Sequence, residues 1–228
     1  MFTSASGLMF ATSRPIPPIT EAQLNEFYQD EHLPDVLSYG AVKMTKRYKS
    51  VDPNSKFPYL ALYPVDDVNY FTSPEFENVV EETKLSRTFG GKSFYEFLDF
   101  EIGSWTKTKT YEGIHPDPST KPEPKSHAKT LIAVAMQPAP GTDSDDWYKK
   151  QYQDTMATLP TYRRTTRYKR VAGDGDGERK PSLLVLHEYD CKADELPEGR
   201  EEFVRRCEVW EREVWELVEV QGDGGRQL

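Results

Sequence analysis

His32 stands in the run Phe27-Tyr28-Gln29-Asp30-Glu31-His32-Leu33-Pro34-Asp35, with three carboxylates within three positions of its imidazole. An imidazole with an ordinary pKa of about 6.5 can both take and return a proton near neutrality. Glu31 or Asp35, the latter one helical turn on, could hold the ring in one orientation. This predicts His32 as a general acid/base, with a bell-shaped rate profile centred near neutrality. A purely structural alternative has His32 capping a broken helix. Tyr28, Tyr48 and Tyr63 are phenols that could donate to a developing enolate or phenolate oxygen, as cyclisation, decarboxylation and enolisation require. Phe10, Phe27, Phe76, Phe94, Tyr95 and Phe97 could enclose an aromatic substrate, although core packing accounts for each taken singly. His187, in the apolar run Leu184-Val185-Leu186-His187, is either a second acid/base or a satisfied core histidine. Arg47 and Arg167 are read as bridging strands, and His115 and His127 as belonging to a linker.

The elements that must position these groups follow from pattern. Gly7–Arg14 reads as a strand. Thr20-Glu21-Ala22-Gln23 is a capping box opening a helix through Leu24, Phe27 and Tyr28, which Pro34 should bend or end. Strands are expected over Ala41–Ser50, Phe57–Val65 and Phe94–Gly103. Between the last two, Ser73-Pro74 starts a helix with the apolar stripe Phe76, Val79, Val80 and Thr83, stopped by Gly90-Gly91.

The order then recurs. Arg47-Tyr48-Lys49 returns as Arg167-Tyr168-Lys169, with Thr45 and Thr165 at the same offset. Thr130–Met136, Tyr162–Val171, Ser182–Tyr189 and Trp215–Val220 read as strands, Ser144–Leu159 as a helix, and Phe203, Cys207, Trp210 and Val214 as a second helical stripe. The expected fold class is α+β: two ferredoxin-like βαββαβ repeats packed sheet to sheet as an intramolecular α+β barrel. The repeats are placed at 1–105 and 130–222, joined by a Pro-rich linker over 106–129 and followed by a tail at 223–228. In the second repeat Tyr152 and Asp154 stand where the first has His32 and Pro34, so the first is the expected active half.

Composition sets outer bounds. The 228 residues carry a net charge of −9, which argues against nucleic acid or an anionic membrane as partner. Two cysteines make no disulfide framework or zinc spacing, and no metal site is expected. The longest uncharged runs are too short and polar to span a bilayer, and the first has no basic region ahead of it, so a signal peptide is not expected. Cytoplasm is the expected location. No nucleotide or phosphate-loop motif is present, which fits a site without a cofactor. Aromatic residues reach 12%, more than a small core needs.

The stretch from Phe27 to Leu37, with its aromatic-Tyr and Glu-His-x-Pro elements, resembles the signature of EthD-like proteins of the dimeric α+β barrel superfamily. Leu60-Ala61-Leu62-Tyr63 and Ser73-Pro74-Glu75-Phe76 sit where that family has comparable elements. The resemblance covers most of residues 7–103 and extends over 130–220 as architecture alone. It implies a small-molecule protein, often working without metal or organic cofactor, with a pocket between sheet and helices. A polyketide or related metabolite is the implied substrate class. The resulting expectation is a cyclase, isomerase, dehydratase or decarboxylase acting on a hydroxylated aromatic or polyketide-type molecule. A cofactor-free monooxygenase of a phenol and a non-catalytic binding protein are the alternatives. Monomer and homodimer both remain open.

Overall fold

The computed structural model describes residues 5–115, 127–141, 149, 156–173, 181–196, 207–223 and 228. Eight strands close into one antiparallel barrel: β1 (Gly7–Pro15), β2 (Met44–Ser50), β3 (Tyr59–Val65), β6 (Leu98–Glu112), β7 (Thr130–Pro138), β8 (Tyr162–Gly173), β9 (Leu183–Tyr189) and β10 (Cys207–Gly222). Around the barrel they run β1-β3-β2-β10-β7-β9-β8-β6. Strands β6-β1-β3-β2 are therefore contiguous, as are β10-β7-β9-β8. The two sets meet at the β2–β10 and β6–β8 pairings.

Side-chain alternation sorts the core into an interior and two outer faces. Leu8, Met44, Tyr48, Leu60, Leu62, Trp105, Leu131, Tyr168, Leu184, Leu186 and Trp215 fill the interior. Ala11, Ala61, Tyr63 and Val65 form the outer face of the first strand set, beneath Leu24, Phe27, Tyr28 and Leu33. Ile132, Val134, Val185 and Tyr189 form that of the second. All seven residues of β3 are buried, because one face meets the barrel and the other the helices. That explains its unbroken apolar sequence. Strand parity also puts Lys46 and Glu188 inside, where Lys46 Nζ lies 3.1 Å from Glu188 Oε1 and Arg164 Nε lies 3.1 Å from Glu188 Oε2.

Helices cover the first outer face. Thr20 caps α1 (Glu21–Phe27) reciprocally: its Oγ1 accepts from the Gln23 N–H, and its own N–H donates to Gln23 Oε1 at 3.0 Å. The helix does not end at Pro34. It widens into a π turn over Tyr28–His32, where the Leu33 N–H bonds the Tyr28 carbonyl, and continues as α2 (Leu33–Ser38). The widening lies directly ahead of Pro34, which has no N–H to return to that turn. Ser73 caps α3 (Pro74–Thr83) by accepting from the Phe76 N–H at 3.3 Å. Gly90 and Gly91, at φ 70° and 80°, turn the chain between two short paired strands, β4 (Leu85–Ser86) and β5 (Lys92–Ser93). Positive φ at two successive residues suits glycine alone.

Three expectations need correction or bounding. Residues 94–96 form a 3-10 turn ahead of β6, and β6 runs on to Glu112, past the boundary set at 105. The stripe of Cys207, Trp210 and Val214 is not helical: residues 207–222 form one long strand, laddered antiparallel to β7 and β2. The helix expected at Ser144–Leu159 falls largely outside the described residues, as do residues 116–126 of the expected linker. No helix among those described is long and apolar enough to cross a membrane.

Candidate active site

On the outer face of β1, β3 and β6, beneath α3, lies a cavity of about 70 Å³. Met9 and Ala11 of β1, Tyr63 of β3, and Phe100 and Ile102 of β6 form its floor. Phe76, Val79, Val80 and Thr83 of α3 form its roof, with Phe94 and Tyr95 at one side. In this apolar wall the main polar feature is His32, whose Nε2 lies 3.1 Å from Tyr63 Oη. The π turn brings His32 to this position. Phe27 stacks on the imidazole at 5.2 Å between centroids, and Phe94 meets it edge-on at 5.5 Å, so the ring is fixed by packing.

Burial sets the electrostatics. Removal from water lowers the His32 pKa to about 4; the Glu31 carboxylate raises it, and the Arg47 guanidinium lowers it further. Burial likewise pushes the Tyr63 phenol well above its usual range, as does the nearby Tyr28. Imidazole and phenol are therefore both neutral at pH 7. A neutral imidazole can accept a proton from an acidic hydroxyl or C–H. The phenol O–H can then donate to the oxygen that becomes anionic.

Among the described residues no carboxylate orients the ring. His32 Nδ1 is buried without a hydrogen-bond partner among the described residues, and the Asp35 backbone carbonyl accepts from Ser38 Oγ. Glu31 is committed elsewhere: it accepts from Ser86 Oγ (3.0 Å), Arg87 N (2.6 Å), Thr88 N (3.0 Å) and Thr88 Oγ1 (2.9 Å). Burial raises its pKa, but the backbone donors of Thr88 and Arg87 and the two hydroxyls outweigh it, and the net shift is downward.

The remaining site candidates separate in space. Tyr28 is buried behind the cavity wall, with its Oη 3.3 Å from Ser13 Oγ and its ring under the Arg47 guanidinium at 4.3 Å. Arg47 bridges elements, to Asn25 at 3.0 Å and to Glu219 across the β2–β10 seam at 3.6 Å. Tyr48 points into the barrel, not toward the cavity. Phe76, Phe94 and Tyr95 line the cavity, while Phe27 backs His32 and Phe97 packs on Phe89. Phe10 belongs to the barrel interior. His187 lies on the far outer face, with Nδ1 2.7 Å from Thr165 Oγ1, and burial lowers its pKa to about 3. That is the environment of a core histidine. Tyr70, Phe71 and Phe100 also border the His32 cavity; sequence reading did not select them, although the α3 stripe above them was legible. Among the described residues no cluster of His, Cys, Asp or Glu could hold a metal ion.

No protein-family model matches the chain. A stretch of 74 residues is 39% identical to core atranone cluster (CAC) protein 1 of Stachybotrys chlorohalonatus, covering 32% of this chain and 32% of that protein. The match thus spans about a third of the relative's length. Two solved structures share the fold at low identity. An anthrone oxidase-like protein aligns with 14% identity and a TM-score of 0.57, over 100% of this chain and 96% of its own. A putative monooxygenase from Fusobacterium nucleatum aligns with 7% identity and a TM-score of 0.57, over 99% and 98%.

Proposed function

We propose that this chain is a cofactor-independent enzyme of specialised metabolism that transfers a proton on a small hydroxylated aromatic or polyketide-type molecule. The hydrogen bond between His32 Nε2 and Tyr63 Oη, set in an otherwise apolar cavity, carries the reading. His32 is the base. Tyr63 donates to the oxyanion, and Phe76, Phe94 and Tyr95 flank the ring. Fixed geometry and a desolvated site supply the stabilisation that a cofactor would otherwise provide. The reaction class is cyclisation, isomerisation, dehydration or decarboxylation. The partial match to a natural-product cluster protein supports the metabolic setting.

The architecture is read in the same way, as two ferredoxin-like repeats at 1–105 and 130–222 related to EthD-like proteins. The strand orders β6-β1-β3-β2 and β10-β7-β9-β8 support this, since each follows the same path through its own four strands. Only the first repeat carries the His32 site.

Oxygenation is the second reading. A neutral imidazole suited to deprotonating a phenol, in a cavity apolar enough to admit oxygen, favours it. The names of the two solved structures point the same way. Replacing the native gene in the source organism by a His32→Ala allele tests the assignment. Accumulation of an upstream compound supports it, and the mass difference to the lost product names the step: loss of carbon dioxide, loss of water, gain of oxygen, or no change. An unchanged profile, where full deletion alters it, removes His32 from the chemistry.

A further inference from the structure

The open end of the barrel holds a second cavity, of about 690 Å³, separated from the His32 cavity by the β1–β6 wall; Ile102 borders both. An eight-stranded barrel is just wide enough for its own side chains to fill, or for one small ligand where they are small. At one end it is filled, by Tyr48, Tyr168, Met44 and the Lys46–Glu188 pair. At the other, four of the inward positions hold small residues, Thr12, Gly103, Ala133 and Ala135. Gly103 also lets Trp105 lie flat: a Cβ at 103 would stand 2.9 Å from Trp105 Nε1. The Arg170 guanidinium covers the Trp105 ring at 5.2 Å. The space is thus written into the sequence as small residues beside braced aromatic ones.

We propose that this end of the barrel is a second ligand site, for a flat, uncharged aromatic molecule carrying a hydroxyl beside a carbonyl. Its size falls in the range of small-molecule pockets, about 300–1,000 Å³, whereas the His32 cavity is far below it. Phe10, Trp105 and Trp215 supply flat apolar surface. Acidic and basic side chains at the mouth balance, Glu101, Glu211 and Glu213 against Lys56, Arg170 and Arg212, so a net charge on the ligand has no counterpart. Two residues apart on the same face of β10, Glu213 Oε1 and Trp215 Nε1 have no hydrogen-bond partner among the described residues. One is an acceptor and the other a donor, which complements a hydroxyl next to a carbonyl.

The probe is 1,8-dihydroxyanthraquinone, titrated into the full chain by calorimetry. Saturable binding is expected, weakened about tenfold or more in Ala135→Trp, which fills the cavity, and unchanged in His32→Ala. Binding unaffected by Ala135→Trp, or abolished by His32→Ala, overturns the site, as does no saturable uptake by the wild type. Should Ala135→Trp fail to fold, nitrogen-15 spectra of the wild type decide. The indole signals of Trp105 and Trp215 shift on adding the probe if the site is real and stay in place if it is not. The His32→Ala arm keeps this result separate from the fate of the catalytic reading.

Discussion

Glu31 and His32 are neighbours in the chain, yet they serve different structures. Glu31 accepts four hydrogen bonds from residues 86–88, while His32 meets Tyr63 across the cavity at 3.1 Å. The π turn that contains both makes this possible. Glu31 thereby ties the helix carrying the imidazole to the segment that leads on to Phe89, Phe94 and Tyr95.

Removing that tie should loosen the cavity wall. Glu31→Ala strips four donors of their acceptor, and charged hydrogen bonds contribute about 1.5–3 kcal/mol each when singly lost, with strong non-additivity. A net destabilisation of about 2–4 kcal/mol in urea unfolding is expected. Stability equal to wild type would show that residues 86–88 hold themselves.

The pH dependence of turnover should not centre on neutrality. With its pKa lowered to about 4, the His32 imidazole is unprotonated throughout the neutral range. The rate should rise with pH through about 4 and then run flat to pH 8, in place of the bell that an unshifted imidazole gives. Titration of the His32 ring by NMR checks the same value without a substrate. A midpoint near 6.5 would contradict the burial described here.

Acid should weaken the fold through His187. Its folded pKa of about 3 lies below the ordinary 6.5, so between those values the unfolded chain binds more protons and stability rises with pH. The contribution is complete above about pH 6.5 and is lost progressively as pH falls toward 3, at about 1.4 kcal/mol per pKa unit. His187→Gln should flatten the thermal stability curve over this window. An unchanged slope would assign the acid sensitivity to other groups.

Inside the barrel, Glu188 faces both Lys46 and Arg164. Glu188→Leu should therefore cost more than Lys46→Met, because it leaves two cations buried together. Breaking a buried pair costs about 3–5 kcal/mol, and denaturant midpoints would rank the two variants. The reverse ranking would mean that Arg164 reaches solvent when freed.

A cavity of about 70 Å³ has room for roughly two waters, so an aromatic ring enters only by displacing α3 or residues 84–97. Hydrogen exchange in these two segments should change on substrate binding, with the amides of β3 unaffected. Changes confined to β3 would place the entry elsewhere.

Much of the first half was legible because its signals are local. Thr20 and Ser73-Pro74 mark helix starts by side-chain chemistry, and both caps form as read. The Tyr63 contact with His32 was not legible, since it depends on which strand face lies under the helix. Tyr48 was misplaced for a related reason: β2 is buried on both faces over Met44–Tyr48, so no polar alternation marks the side that looks into the barrel. Asp35 was counted one regular turn from His32, but no bond to the imidazole forms, and the π turn alters the register that the count assumed. Cys207, Trp210 and Val214 imitate a helical stripe by coincidence of spacing within a strand.

Barrel closure constrains how copies of this chain can meet. Each of the eight strands has a hydrogen-bonded neighbour on either side, but the pairings are staggered: residues 207–213 of β10 ladder with β7 alone, because β2 joins only from Trp215. Edge pairing is the common route by which β proteins aggregate or oligomerise through their backbones. Self-association through side chains on the outer faces can be tuned by surface substitution without touching the ladder that holds the two cavities apart.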